Sequence, residues 1–575
     1  MLSRFLLIAA FVMILGVPFL LRPAPERAAE DQAAARTLII VTPHVPQIRE
    51  EFGRAFSAWH KRVHGSAVRV DWRTPGGTSE ILKQLSAQYT AAIRNGLIAP
   101  DGAAPAGTVG LDLMFGGGTF DHGRLKQGVT VELSTPQGAK KVTVPMSVPA
   151  GFTAEQLQEW FGENTLGSGF LYDPEQFWIG TALSGFGIVY NRDVFRELAL
   201  PEPKEFADLC DPRLQGWIAL ADPRQSGSVT TTFEAILNFY DWDRGWRILR
   251  EMAANTRYFT NSATKPPIDV SQAEAAAGLA IDFYGRGQAQ SIVRAGEDPK
   301  DSRVGYVDPK GSTYIDADPA SILRGGPSPD LAKRFVEFCL TEEAQALWQF
   351  RSTRDPNRGT PAKTADGIEL GPKLYELRRM PARRMMYEKH WDRLIDQVQP
   401  WELAAKVKGK GWRSAIGPMM GCFAIDIIDD QRAAWAALNR ARRAANFPAE
   451  ALAEMETLFY RWPSTTIENP TIHPLVKSLA KETQTLLRER PQARTYPGLA
   501  QLAADASIAE PIRTELKKLA DAPRTFEFTP ENYQVVRDSW RDPGFMARAE
   551  IAYTEFFRAG YRRIIELERA SASRR

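Results

Sequence analysis

The strongest constraint on the fold is a repeated pattern in the first part of the chain. A short apolar strand ends in a polar or glycine-rich loop, and an amphipathic helix follows. Leu38–Val41, Val68–Trp72 and Leu111–Phe115 are the strand-like runs, and the third ends in three glycines. After the first run, apolar residues recur at helical spacing over Ile48–Trp59. This alternation of strand and helix periods predicts an α/β layer.

The same periodicity predicts further elements along the chain. A hairpin is expected at Val129–Val144 and an amphipathic helix at Leu331–Phe350. Later strands are expected at Phe186–Tyr190, Trp217–Leu220, Leu279–Tyr284, Val304–Val307 and Thr313–Ile315. From about residue 354 strand signals disappear, and helices are expected at 372–404, 431–457, 474–489, 511–520 and 543–569. We therefore expect a mainly α-helical C-terminal region.

Length and charge divide the chain further. Its 575 residues predict three or four domains. The formal net charge is +3, which gives no case for a nucleic-acid binder. Residues 351–575 hold 38 basic and 29 acidic residues and so form a separate, basic compositional unit.

Sequence patterns of catalysis, metal binding and redox chemistry are missing. The chain has no GxSxG, GxxxxGK[ST], GxGxxG or HExxH pattern, and no CxxC. His60 and His64 are four residues apart, but the basic residues between them favour a solvated face. Three cysteines, Cys210, Cys339 and Cys422, allow at most one disulfide, whose pairing stays open. We expect a protein that is not an enzyme and has no resident cofactor.

The amino terminus has the pattern of an exported protein. Arg4 precedes the 17-residue apolar run Phe5–Leu21, and a Pro/Ala/Glu-rich linker follows over Arg22–Ala35. Export is predicted, and both a cleaved signal and a retained anchor remain open.

Three loops share a chemical character that favours a ligand cleft. Each follows a strand and opens a helix, and helix N-termini bind anions through their unpaired N–H groups. In open α/β sheets, ligands lie beyond the carboxyl ends of the strands. Taken singly, the hydroxyl residues are explained as N-caps. The loops are Thr42–Val45, Thr74–Ser79 and Ser226–Thr230.

Residues 36–350 resemble the type II periplasmic substrate-binding proteins of ABC importers. The similarity is to the group that includes ferric-iron, polyamine and sugar-phosphate binders. The stretches that carry it are Gly76–Glu80, Asp112–Gly118, Phe206–Pro212, Gly216–Pro223 with Ser226-Gly227, Val304–Gly311, Ala320–Gly326 and Ala332–Phe338.

The resemblance implies two α/β lobes around a hinge, with the ligand between them. We expect lobe 1 at 36–115 with 300–352, lobe 2 at 116–299, a signal or anchor plus linker at 1–35, and a helical extension at 353–575. The loaded protein, a monomer in the periplasm or otherwise outside the cytoplasm, would dock on a membrane permease. No nucleic-acid partner is implied.

The resemblance also implies candidate iron ligands. Ferric-binding members use a histidine, a carboxylate and two adjacent tyrosines. His44 and Tyr284 match the histidine and the second tyrosine, whereas Phe283 replaces the first tyrosine and Gly117 stands at the carboxylate position. A trivalent cation prefers hard, anionic oxygen ligands. His44 and Tyr284 are thus the expected metal ligands.

Asp282 or Asp112 would have to supply a carboxylate oxygen instead. The complete candidate ligand-binding set is His44, Gly76, Gly77, Thr78, Ser79, Gly117, Ser226, Gly227, Ser228, Asp282 and Tyr284. Ferric iron as the transported ligand is slightly favoured over a small organic anion or a phosphorylated solute. A membrane-anchored sensor or scaffold that uses the same fold is a second class of function. An extracytoplasmic hydrolase is a third, with no pattern behind it.

The basic extension carries two arginine pairs, Arg378-Arg379 and Arg383-Arg384, which Pro381 separates. Paired arginines can bind an anion bidentately, but a solvated helix face is the expected role. Residues beyond 430 are expected to form a helical cap or a partner-docking module. The charge of the extension also suits an anionic membrane surface.

Overall fold

The computed structural model describes residues 35–135, 138–294 and 302–572. The apolar run Phe5–Leu21 lies outside these residues. The strands are β1 (Arg36–Val41), β2 (Val68–Arg73), β3 (Leu113–Phe115), β4 (Val129–Thr135), β5 (Gly138–Val144), β6 (Ser147–Val148), β7 (Ile179–Asn191), β8 (Ile218–Ala221), β9 (Thr256–Thr260), β10 (Ala277–Ile281), β11 (Val304–Val307), β12 (Ile315–Leu323), β13 (Met380–Pro381), β14 (Ser464–Thr466) and β15 (Thr525–Glu527).

Helices follow most strands in the first half and dominate the second half. They are α1 (Pro46–His64), α2 (Thr78–Arg94), α3 (Thr119–Gln127), α4 (Ala154–Phe161), α5 (Arg192–Glu197), α6 (Gly227–Ala254), α7 (Lys265–Ser271), α8 (Asp282–Ser291), α9 (Pro329–Cys339), α10 (Glu342–Gln349), α11 (Met385–Lys389), α12 (Pro400–Leu403), α13 (Arg413–Phe423), α14 (Ile428–Arg443), α15 (Ala449–Tyr460), α16 (Lys481–Glu489), α17 (Tyr496–Ala504), α18 (Glu510–Ala520), α19 (Tyr533–Ser539) and α20 (Pro543–Ala572).

One long strand, β7, joins the two lobes. The main sheet runs β2-β1-β3-β12-β7-β10-β8-β9, and all 13 residues of β7 are buried. Up to Gly185, β7 pairs with β12, and from Phe186 onward it pairs with β10. A strand of this length spans about 40 Å, enough to serve two half-sheets. The change of partner at Gly185–Phe186 marks the boundary between the lobes.

Lobe 1 is built on the pattern with which the sequence begins. In α1 the buried residues Ile48, Phe52, Phe56 and Trp59 form one apolar stripe, and Pro46 stands in the first turn. This stripe packs on the sheet with the C-terminal helices α9 and α10 of the lobe, where the rings of Phe52 and Trp348 are 4.3 Å apart. Residues distant in sequence thus close one core around β1, β3 and β12.

The domain boundary expected at residue 116 differs from the observed one. α3 and the β4–β5 hairpin share a core with β1 and α2, and α4 packs with α1, so residues 119–178 belong to lobe 1. Conversely, β11 was expected in lobe 1, but it pairs with the lobe-2 half of β7. The chain first crosses between the lobes at β7, whose 13 residues pair with both half-sheets.

The C-terminal extension, residues 353–572 of the described chain, is mainly helical and shares the core of lobe 2. α13, α14, α15 and α20 pack on α6, and their apolar side chains form one buried cluster with it. Trp435 and Phe459 stack with their ring centroids 5.2 Å apart. α16, α17 and α18 form a smaller cluster of their own. Most of the extension is therefore a continuation of lobe 2.

Two local expectations for the extension are corrected. Residues 372–404 contain β13, the short helices α11 and α12 and a 3-10 helix at Trp391–Arg393, not one long helix. Pro372, Pro381 and Pro400 interrupt helical hydrogen bonding in this segment. The strands β13, β14 and β15 also lie beyond residue 354. The three cysteines are free thiols.

Candidate functional site

A cavity of about 440 Å³ lies where β7 passes from one lobe to the other. This volume is within the range of small-molecule sites. Nine of the residues expected in the site line it, namely His44, Gly76, Gly77, Thr78, Gly117, Ser226, Gly227, Ser228 and Tyr284. Ser79 and Asp282, the other two, are not among its lining residues. All three predicted loops therefore reach one cavity.

Three helices point their N-termini at this cavity. α2 begins after Gly77, α3 after Gly118 and α6 after Ser226. Ser226 caps its own helix by accepting a hydrogen bond from the N–H of Val229, 3.4 Å away. Across the cleft, a methyl group on Gly227 would lie 3.1 Å from Oγ1 of Thr78. The two lobes thus approach each other closely at the helix ends.

Two carboxylates that the sequence analysis did not identify occupy the α3 end of the cavity. Asp316 accepts hydrogen bonds from the N–H and hydroxyl of Thr119, at 3.0 and 2.7 Å. Asp121 accepts from the N–H of Gly118 at 3.3 Å. Burial raises the pKa of Asp316 to about 6 and also raises the pKa of Asp121. These carboxylates can accept hydrogen bonds from ligand hydroxyl groups.

His44 lies in the cavity wall beside a buried arginine. Nε2 of His44 is 2.8 Å from Nη1 of Arg379 and 3.1 Å from Oδ2 of Asp318. The guanidinium also forms an ion pair with Asp318. Burial, and then the charge of Arg379, hold the pKa of His44 well below its usual value. The neutral form of His44 is therefore favoured, and its Nε2 lies within hydrogen-bond distance of both the arginine and the carboxylate.

Tyr284 lines the cavity from a helix and not from the expected strand. β10 ends at Ile281, and Tyr284 is the third residue of α8. Its ring packs against Phe283 with the centroids 4.1 Å apart. Burial raises the pKa of the phenol, while the neighbouring Arg379 acts to lower it. The cation favours the phenolate, but burial has the larger effect and favours the neutral phenol.

Asp282 lies behind the cavity, at the junction of the lobes. It is fully buried, and its neighbours include Arg286, Asp308 and the strand residue Gly185. Burial raises the pKa of Asp282 to about 7, and Asp308 adds to this effect. Asp282 therefore contacts residues of the lobe junction and does not line the cavity.

Two arginines of the extension, Arg379 and Arg413, are also in the cavity wall. Sequence reasoning noted Arg379 only within an arginine pair and gave no role to Arg413. Arg378, which precedes Arg379, binds Asp396 behind the cleft, with Nη2–Oδ1 at 2.5 Å. In the sequence, Arg379 was marked only by its place in an arginine pair near Pro381. The surrounding segment was predicted to be a helix.

Some buried polar atoms around the cavity lack a partner. Within residues 35–135, 138–294 and 302–572, Nδ1 of His44, Oγ of Ser184 and Nε of Arg379 make no hydrogen bond. All three residues line the cavity and are at most 6% exposed. Buried polar groups are usually hydrogen-bonded. A polar ligand is the partner that these atoms favour.

Residues 165–368 match the family model for bacterial extracellular solute-binding proteins. The match covers about a third of the chain, and over these residues the chain is similar to that family. The match includes β7, the α6 loop and Tyr284, which lie at the cavity. This match agrees with the predicted resemblance to substrate-binding proteins.

A curated relative and two solved structures illustrate the similarity. An uncharacterized protein of Haemophilus influenzae is 29% identical over 160 residues, which span 27% of this chain and less than half (43%) of that protein. Iron-bound HitA of Pseudomonas aeruginosa is 16% identical, with a TM-score of 0.43, over 66% of this chain and 97% of HitA. AfuA of Actinobacillus pleuropneumoniae, with exogenous fructose-6-phosphate bound, is 18% identical, with a TM-score of 0.39, over 54% and 81% of the two chains. These likenesses do not assign a ligand.

Across 35–135, 138–294 and 302–572, no three His, Cys, Asp or Glu side chains cluster as potential metal ligands. No helix in that part of the chain has the length and apolarity of a membrane span.

Proposed function

We propose that the solute-binding region captures a small hydroxylated organic anion, with a phosphorylated solute as the preferred class, and delivers it to an ABC permease. The main support for this proposal is the contact between His44 and Arg379. The guanidinium of Arg379 lies 2.8 Å from Nε2 of His44, a nitrogen through which the histidine could bind iron. Iron could bind this nitrogen only if Arg379, which is also paired with Asp318, moved away from it.

The polar groups of the cavity suit both parts of such a solute. The N-termini of α2 and α6 and the arginines supply donors for an acidic group. Asp121 and Asp316 can each accept hydrogen bonds from hydroxyl groups, as can Ser184. Asn261, Ser262 and Thr264 add further donors and acceptors from the loop after β9. This combination of donors and carboxylates supports a ligand with both an acidic group and hydroxyls.

Ferric iron is the second candidate, because His44 and Tyr284 line the same cavity. To bind a metal there, Arg379 would have to leave Nε2 of His44. With only one phenol and one imidazole from the expected set, a bound anion would have to supply the remaining oxygen ligands. The geometry therefore supports iron less directly than an organic anion.

Delivery to a permease rests on the family. Solute-binding proteins of importers close around their ligand by a hinge motion, and the closed form is the one recognised. We propose Gly185–Phe186 of β7 as part of that hinge, because pairing changes from one half-sheet to the other at this point. A location outside the cytoplasm agrees with the family description.

The test is a calorimetric and thermal-shift titration of the purified chain from residue 35. The probes are glucose 6-phosphate, glucose, inorganic phosphate, citrate, and ferric ion with carbonate. Tight binding of glucose 6-phosphate or citrate, with little response to ferric ion, supports the proposal. Saturable binding of ferric ion alone would overturn it.

A further inference from the structure

The C-terminal extension carries an arginine into the cleft on the lobe-1 side. Arg379 precedes β13, which pairs with the lobe-1 half of β7, and Met380 lies opposite Leu183. The N–H of Arg379 donates to the carbonyl of Trp348 on α10, 3.1 Å away. Its guanidinium lies over the ring of Phe283, 4.1 Å from the centroid. Arg379 is thus fixed to lobe 1 by backbone contacts.

The extension carries a second arginine on the lobe-2 side. Arg413 is the first residue of α13, whose apolar face is buried in the core of lobe 2. Its guanidinium donates to Thr231 Oγ1 at 3.0 Å, to Glu234 Oε2 at 2.9 Å and to the carbonyl of Gly227 at 3.2 Å. All three partners belong to α6. Arg413 therefore moves with lobe 2.

Arg413 also reaches across the cleft. Its guanidinium lies 4.3 Å from the ring centroid of Phe120, which belongs to α3 of lobe 1. The side chain is 13% exposed. Burial raises the pKa values of Asp121 and Asp316, and the nearby charge of Arg413 acts against this rise in both. One cation of the extension is thus attached to each lobe, and both face the same cavity.

We infer that Arg379 and Arg413 are ligand-binding residues that form a two-sided clamp for the acidic group of the solute. This inference rests on the proposed function and adds which residues select the anion. An anion in contact with both guanidinium groups joins the lobes, so the closed state gains charge-assisted hydrogen bonds that an open state lacks. The extension is then a functional part of the binding site and not an appended domain.

The chemistry of the clamp favours a phosphate ester over a neutral sugar. A guanidinium offers paired N–H donors that match phosphate oxygens, which lysine does not reproduce. Glu234 and Asp318 hold the two arginines in place and leave other N–H groups for the ligand. Nε of the buried Arg379 has no partner in the described residues.

The experiment compares the affinity of the chain from residue 35 for glucose 6-phosphate and for glucose. Arg413→Met should weaken glucose 6-phosphate binding about 10- to 100-fold and leave glucose binding nearly unchanged. Arg413→Lys should recover part of the loss. Arg440→Met is the matched control, since Arg440 is an exposed arginine of the same extension with a glutamate partner at 2.8 Å. Arg379→Lys, which keeps a cation beside Asp318, should also reduce the preference for the phosphate ester.

The outcomes separate the two proposals. If the wild type prefers glucose 6-phosphate and Arg413→Met retains that preference in full, the clamp is wrong and the proposed function stands. If the wild type binds only ferric ion, the proposed function fails and the clamp fails with it. A loss of preference in Arg413→Met, with Arg440→Met unchanged, supports the clamp, because a purely structural effect would weaken both probes alike.

Discussion

Nη1 of Arg379 lies 2.8 Å from Nε2 of His44, although 335 positions separate the two residues in sequence. Burial, and then the positive charge of this arginine, hold the pKa of His44 well below its usual value. His44, the histidine expected to bind iron, therefore already lies beside a guanidinium group. Arg379 comes from the C-terminal extension, which the sequence analysis predicted to be separate from the binding lobes.

The first prediction concerns ferric ion. We expect no visible charge-transfer band when ferric ion and carbonate are added to the chain from residue 35, because Arg379 occupies Nε2 of His44. Visible absorption spectroscopy checks this. A band that is lost in Tyr284→Phe but kept in Tyr306→Phe, a partly buried phenol outside the cavity lining, would instead assign Tyr284 as an iron ligand.

The second prediction concerns the backbone behind His44. Gly116 has φ +90°, and a Cβ there would lie 2.4 Å from the imidazole. Gly116→Ala should combine a cost of about 1–2 kcal/mol for the positive φ with about 1–3 kcal/mol for overpacking. Gly107→Ala is the control, since Gly107 has φ +84° with open space around it and carries only the first cost. Urea unfolding measures both variants, and equal losses would show that His44 moves aside freely.

The third prediction is a pH dependence of stability from Asp282. The folded pKa of about 7 lies above the ordinary value, so between about pH 4 and 7 the folded state holds a proton that the unfolded chain releases. This contribution to stability is complete below about pH 4 and is lost as the pH rises towards 7. It is at most roughly 4 kcal/mol. The charged or titratable neighbours are Arg286, Asp308, Arg379, Tyr306 and Tyr387.

Urea unfolding at several pH values tests this. Asp282→Asn cannot ionise, so its free energy of unfolding should fall less than that of the wild type between pH 4 and 7. The exposed Asp243→Asn is the control and should follow the wild type. Parallel curves for Asp282→Asn and the wild type would contradict the prediction.

The fourth prediction concerns the junction of lobe 2 and the extension. Arg250 on α6 is fully buried and donates to the carbonyls of Phe459 and Arg461 at 2.5 and 3.1 Å. Arg250→Met leaves both carbonyls without this donor and should lower the free energy of unfolding by about 2–4 kcal/mol. The exposed Arg244→Met on the same helix should cost less than 1 kcal/mol. Similar losses in the two variants would mean that Arg250 does not join the two regions.

Local pattern determined the order of elements and much of the cavity. The spacing of Ile48, Phe52 and Trp59 predicted α1, and alternation predicted the β4–β5 hairpin, which the structure confirms at Val129–Val144. The loops of α2 and α6 were predicted to share a cleft, and both line the same cavity. Such features are visible in sequence because helix periodicity, caps and glycine turns depend on residues close together in the chain.

Tertiary structure alone decided which charges meet. Nothing near Arg379, Arg413 or Asp316 in sequence indicates the partners that they find in the cleft. Residues 119–178 were expected in lobe 2, but they pack in the cores of lobe 1. The sequence did not indicate this, because strand pairing depends on which surfaces become buried together. A buried ion pair forms only where packing removes both groups from water, and this environment is created by elements hundreds of residues apart.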